Sequence, residues 1–220
     1  MEFKRVTLLA GHYGSGKTNI AVNLAMLLRQ QRERVAIADL DLVNPYFRTK
    51  DSQRDLEQAG IRFICSEYAN SNVDIPALPQ TLYAITDDRE LSCILDIGGD
   101  DRGALALGRL APALLEENDF EMLFVVNFYR PLTTTVDDAL EVLREIEYAG
   151  HLPFTGIVNN SNLGDETVPD TVLRTTERTR ELCEKSGLPL RFTSVNHPLV
   201  PALRDTIPNL IGLDLQAKIR

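Results

Sequence analysis

Eight residues near the amino end, Gly11 to Thr18, read GHYGSGKT and constrain this chain more than any other stretch. Gly11, Gly16, Lys17 and Thr18 fill the pattern G-x-x-x-x-G-K-[ST]. The pattern has a mechanism: glycines let the backbone curl until successive N–H groups point inward, and the resulting concavity holds an anion. It also needs a setting, a strand before it and a helix after it. The run Val6-Thr7-Leu8-Leu9 reads as the strand. Over Lys17–Gln31, the residues Ile20, Leu24, Leu27 and Leu28 recur on one helical face. A helix opening at Lys17 adds its N-terminal partial positive charge to the cradle. Gly11, His12, Tyr13, Gly14, Ser15, Gly16, Lys17, Thr18 and Asn19 are therefore expected to wrap the phosphates of a nucleotide. Lys17 would reach the β- and γ-phosphates, and Thr18 would offer its hydroxyl to Mg²⁺.

Strand-like and helix-like runs alternate along the rest of the chain. The spacing predicts strands at Arg5–Leu9, Val35–Asp39, Arg62–Cys65, Ser92–Asp96, Met122–Asn127, Gly156–Asn159 and Leu190–Ser194. Several are continuous aliphatic runs, the mark of strands covered on both faces. Helical patterns run over Thr134–Tyr148 and Val168–Ser186. The fold class is α/β: a doubly wound, mostly parallel sheet of about seven strands with helices on both faces. No repeat, low-complexity tract or linker divides the chain, so residues 1–220 are expected to form one domain. Pro76 and Pro79 mark a loop or short helix, and Asn159–Pro169 a loop. The tail NLIGLDLQAKIR reads as a packed C-terminal helix, with an amphipathic membrane helix as the lesser alternative.

Two acidic stations follow the glycine loop. In VAIADLDLVNPYFR a strand ends in Asp39 and Asp41, and in CILDIGGDDRG another ends in Asp96, before Gly98 and Gly99. Parallel α/β sheets bind ligands beyond the carboxyl ends of their strands. Asp39 and Asp96 are placed to reach Mg²⁺ or its waters, and Gly99 to present an N–H to a γ-phosphate.

Composition sets outer bounds. The net charge is −9, which disfavours coating nucleic acid through its phosphates. No apolar stretch approaches a membrane span, and the N-terminus does not read as a signal peptide. The three cysteines, Cys65, Cys93 and Cys183, form no metal-ligand or bridging pattern, and Cys93 sits in an apolar run. A reducing, cytoplasmic setting is expected. His151 and His197 are isolated, and RTTERTRELCEK reads as a solvated helix face.

The loop GHYGSGKT, the segment DLDLVNPYFR and the segment LDIGGD together resemble the deviant Walker-A ATPases of the MinD/ParA group. Wider relatives of that group are the nitrogenase iron protein, arsenical-pump ATPases and cobyrinate-amidation enzymes. The likeness continues through VVNFYRPLTTT and GIVNNSNLG. It implies a Mg²⁺-dependent, ATP-binding switch that hydrolyses ATP and acts on a protein partner. Lys17 and Asp41 take the catalytic roles, with Asp41 orienting the attacking water. Thr18, Asp39 and Asp96 take the metal. Asn159 or Asn160 resembles an asparagine that reads the base, and the loop Asn196-His197-Pro198 a segment that flanks the adenine. The group's extra lysine, five residues before Lys17, is His12 here. Any ATP-dependent homodimer would then use another cation, with Arg48 and Arg102 as candidates. NNSN is not the N-K-x-D of guanine readers, which favours ATP over GTP. The alternatives are an ATP-dependent cofactor-biosynthesis enzyme of the dethiobiotin-synthetase or cobyrinate-amidase kind, and a membrane- or DNA-positioning ATPase.

Overall fold

In the computed structural model, which describes residues 1–40, 53–65, 80–98 and 101–215, eight strands form one sheet. They are β1 (Val6–Ala10), β2 (Val35–Leu40), β3 (Arg62–Cys65), β4 (Ser92–Ile97), β5 (Phe120–Val126), β6 (Gly156–Asn159), β7 (Leu190–Asn196) and β8 (Leu210–Leu213). Their spatial order is β3-β2-β4-β1-β5-β6-β7-β8, and every neighbouring pair is parallel. The α/β class is as the alternation implies, with one strand more than the seven expected.

The added strand corrects the reading of the tail. Leu210–Leu213 does not form a helix; it pairs with β7, Thr193 to Leu210 through Asn196 to Leu213. Gly212 fits this edge because a Cβ there would come within 2.8 Å of Val200 and 3.2 Å of the His197 ring. Beyond it, the Asn23 side chain grips the backbone of Asp214 from both sides, donating to its carbonyl (3.0 Å) and accepting from its N–H (2.9 Å). Residues 216–220 lie outside the described residues.

The helices are α1 (Lys17–Arg29), α2 (Gln53–Gln58), α3 (Ala84–Asp87), α4 (Asp101–Glu117), α5 (Val136–Gly150), α6 (Pro169–Leu173), α7 (Thr176–Ser186) and α8 (Val200–Leu203). The single helix expected over Val168–Ser186 is two, α6 and α7. At the break, Thr175 is fully buried and its hydroxyl donates to the Val172 carbonyl (2.7 Å), which favours a turn over continued helix. α4, which no helical pattern above anticipates, buries Leu107, Leu110, Ala111 and Leu114 at helical spacing although Gly103, Gly108 and Pro112 stand within it. Gly103 is needed where it stands: a Cβ would meet the Gly98 carbonyl oxygen at 2.5 Å, so the helix packs directly onto the end of β4.

The core lies in two layers. Val6, Leu8, Cys93, Leu95, Met122 and Phe124 face one side, with α4, α5 and α7 residues such as Leu110, Leu140 and Leu182. Leu9, Ile37, Ile94, Leu123 and Val125 face the other, with Ile20, Leu24 and Leu28 of α1 and Leu56 of α2. Alternate side chains thus feed opposite layers, which is why the strands read as unbroken apolar runs. β1 sits mid-sheet, so the loop that follows it opens at the centre of the carboxyl edge. Among the described residues no helix is long and apolar enough to cross a membrane.

Candidate nucleotide site

The loop between β1 and α1 has the backbone its glycines allow. Gly14 and Gly16 hold φ of 77° and 91°, the left-handed region that favours glycine. Gly11 is fixed by close approach: a Cβ would lie 2.3 Å from the Val125 carbonyl oxygen of β5. Gly16 caps α1, and Lys17 opens it. The Lys17 ammonium is buried and donates to the carbonyls of Gly11 (2.9 Å) and His12 (3.2 Å), so it lies back across the mouth of the loop. His12 is half-buried, its Nδ1 3.0 Å from the Tyr13 carbonyl; Tyr13 and Gly14 are exposed on the rim. Asn19 is half-buried in the first turn of α1.

On the β4 side, the Thr18 hydroxyl donates to Asp96 Oδ2 at 2.6 Å. Asp39 stands in register with Asp96 on the neighbouring strand, and both are buried. Two carboxylates and a hydroxyl thus meet at one corner beside the Lys17 loop. The oxygen-only donor set suits Mg²⁺, which binds through one or two carboxylates plus phosphate oxygens. Among the described residues no three His, Cys, Asp or Glu side chains gather as a ready-made metal cage. Asp41, Gly99 and Arg48 lie outside the described residues, and Arg102 falls in the first turn of α4.

On the β5–β7 side the asparagines take places that sequence could not give. Asn159 is buried and its amide is held inside the protein. It donates to the Thr175 hydroxyl (3.1 Å) and accepts from the Ser161 N–H (3.1 Å) and hydroxyl (2.6 Å). Asn160, also buried, donates to the Ser15 carbonyl (2.7 Å) and accepts from the Ser194 hydroxyl (2.8 Å). Both amides are held by partners inside the protein, and Asn160 props the glycine loop from behind. Gly16 accommodates it, since a Cβ would meet Asn160 Nδ2 at 2.2 Å. The Ser15 hydroxyl is buried against the same wall and has no hydrogen-bond partner among the described residues. Asn196, His197 and Pro198 are exposed at the end of β7.

Two residues outside the glycine motif belong to this edge. Asn127, fully buried just past β5, donates to the Asn162 carbonyl (3.2 Å) and accepts from the N–H groups of Tyr129 (3.0 Å) and Asn162 (3.3 Å). Arg130, three residues on, donates from Nε to the Gly14 carbonyl at 3.0 Å. Its place just beyond a central strand, on the carboxyl edge, was the available signal.

Several solved structures share this fold. FtsY, the cell division protein of Thermotoga maritima, aligns over 89% of this chain at TM-score 0.58 and 18% identity. The 54 kDa signal recognition particle protein of Aeropyrum pernix K1, in complex with GDP, aligns over 87% at TM-score 0.53 and 17% identity. FlhF, complexed with GTP and Mg²⁺, aligns over 87% at TM-score 0.53 and 12% identity. This chain spans 62%, 41% and 66% of those three chains. At such identities the likeness is one of fold. A search of curated proteins gave no match. The model of the CobQ/CobB/MinD/ParA nucleotide binding domain matches residues 6–168, from β1 through the loop after β6, and the chain belongs to that family.

Proposed function

We propose that this nucleotide-binding protein is a Mg²⁺-dependent ATPase switch that acts on a protein partner or assembly. The observation that carries the proposal is the Thr18–Asp96 hydrogen bond of 2.6 Å beside the Lys17 loop. It joins a metal-type hydroxyl and a carboxylate at the place where β- and γ-phosphates and their metal would meet. In this reading Gly11 to Asn19 hold the phosphates and Lys17 neutralises charge at the β- and γ-positions. Thr18, Asp39 and Asp96 serve the metal, directly or through its waters. Asp41 orients the attacking water, and Gly99 offers an N–H to the γ-phosphate. The base lies toward Asn196–Pro198, and Asn160 acts through the loop it supports. Segments Asp41–Arg48 and Asp96–Arg102 would change with the γ-phosphate and present that change to the partner.

ATP is favoured because NNSN lacks the acid of an N-K-x-D guanine reader. The test is turnover and calorimetric affinity with ATP and GTP, with and without Mg²⁺. Mg²⁺-dependent ATP hydrolysis, slow alone and faster with a partner fraction, is the expected result. GTP binding tighter than ATP by about a factor of ten, some 1.4 kcal/mol, would overturn the choice of base. Failure of both nucleotides to bind would overturn the site.

A further inference from the structure

The loop after β5 carries a group that the phosphate cradle leaves unexplained. We infer that Arg130 covers the nucleoside half of a bound purine nucleotide, laying its guanidinium plane on the base. The inference rests on the reading of Gly11–Thr18 as the phosphate site.

Strand order gives the direction. The metal-type corner, Thr18 and Asp96, lies on the β4 side of β1, while Arg130 follows β5 on the other side. A nucleotide with its terminal phosphates at that corner runs away from β4. Its sugar and base therefore pass over the end of β5. Arg130 is fixed to that route by the Nε bond to the Gly14 carbonyl (3.0 Å). The arginine lies along the rim beside Gly14, where its Nε, Cδ and Cζ are 3.5–3.9 Å from the position of a Cβ, ordinary contact distance.

The backbone beneath is stiff. The Arg130 N–H donates to the Asn127 carbonyl (3.1 Å), its own carbonyl accepts from the Thr133 N–H (3.0 Å), and Pro131 follows. Asn127 is itself locked by its buried amide. Preorganisation of this kind removes ordering cost on binding. Yet the side chain is exposed, and its two terminal nitrogens make no hydrogen bond or ion pair among the described residues. The nearby asparagines are held by internal partners, Asn159 by Thr175 and Asn160 by Ser15 and Ser194. A guanidinium is weakly hydrated and planar, and it stacks on aromatic rings. Such stacking holds purines without choosing between adenine and guanine.

The test is calorimetric titration of wild type, Arg130→Ala and Arg130→Lys with ATP, ADP, GTP and inorganic tripolyphosphate. Arg130→Ala is expected to weaken ATP, ADP and GTP alike, roughly 3- to 30-fold, and to leave tripolyphosphate unchanged. Arg130→Lys should recover little, since an ammonium offers no flat face. A loss for ATP without one for ADP would place the guanidinium at the terminal phosphate and overturn the inference. An equal loss for tripolyphosphate would make Arg130 a support of the loop and also overturn it, as would no loss at all. If the wild type binds neither nucleotide nor tripolyphosphate, the phosphate-site reading itself has failed.

Discussion

Asn160 hydrogen-bonds the carbonyl of Ser15 at 2.7 Å, joining the end of β6 to the middle of the phosphate loop across 145 positions of sequence. The bond is buried, and the other end of the amide is held by Ser194. Removing the side chain leaves two buried polar atoms without it, at a cost of about 1–3 kcal/mol each. Asn160→Ala is therefore expected to lower the midpoint of chemical unfolding. It should also weaken ATP and tripolyphosphate together, because the loop itself loosens. Unchanged tripolyphosphate affinity in a destabilised variant would show that the prop supports folding alone.

Lys17→Ala is expected to abolish tight ATP binding and keep the fold. The lysine bonds to loop carbonyls and takes no part in the two core layers, which are built from other residues. Loss of a charge-assisted contact of about 3 kcal/mol lowers affinity roughly 100-fold. Calorimetry measures the affinity and circular dichroism the fold. A folded variant that binds as the wild type does would refute the role given to Lys17.

Asp96→Asn keeps an acceptor for the Thr18 hydroxyl but removes the charge. The expected outcome is an intact fold whose ATP affinity needs more Mg²⁺ to reach its plateau. Titrating Mg²⁺ at fixed ATP, in wild type and variant, checks this. Superimposable curves would take Asp96 away from the metal.

His12→Ala is expected to leave ATP binding nearly intact. The ring is half-buried and its Nδ1 is occupied with the neighbouring Tyr13 carbonyl. Calorimetry decides affinity, and light scattering with a non-hydrolysed ATP analogue decides assembly. An ATP-dependent dimer that is lost in His12→Ala would give this histidine the part played elsewhere by a lysine.

Cys93 offers a readout of binding that needs no turnover. Burial pushes its thiol from 9.0 up to about 12, so almost none is thiolate at pH 8. Alkylation of Cys93 at pH 8 should wait for unfolding, and saturating ATP should slow it further by stabilising the native state. Peptide mass spectrometry follows the label. The folded state keeps a proton that the unfolded chain releases above 9, so Cys93 weakens stability as pH rises from 9 toward about 12. Fast labelling of folded protein at pH 8 would contradict the burial.

The central strands and the glycine loop were legible because one physical signal, the apolar run ending in a turn or an acid, marks each of them. Ser92–Ile97 with Asp96 shows both at once. α4 was passed over because Gly103, Gly108 and Pro112 are poor helix formers, although Leu107, Leu110, Ala111 and Leu114 keep helical spacing and the first glycine lies against the end of β4. The short β8 was missed because four residues of Leu-Ile-Gly-Leu carry no period of their own; their partner in β7 decides their shape. At the site, type and spacing named Lys17, Thr18 and Asp96. They could not name where an amide points. Asn160 reads as a ligand-facing asparagine at a strand end and turns instead to Ser15. Arg130 is one arginine among many until the fold lays it on Gly14.

The pairing of β1 has a consequence for the order in which the molecule is made. Val6 pairs with Cys93 on one side and Phe120 on the other, so β1 is made well before either of its neighbours and waits for both. Closing such long loops comes late in folding. The wall behind Gly11 is Val125, and the prop behind Ser15 is Asn160. A nascent chain that stops short of Val125 carries the whole of GHYGSGKT and neither of these supports, so the loop gains its full grip only once Asn160 has been translated.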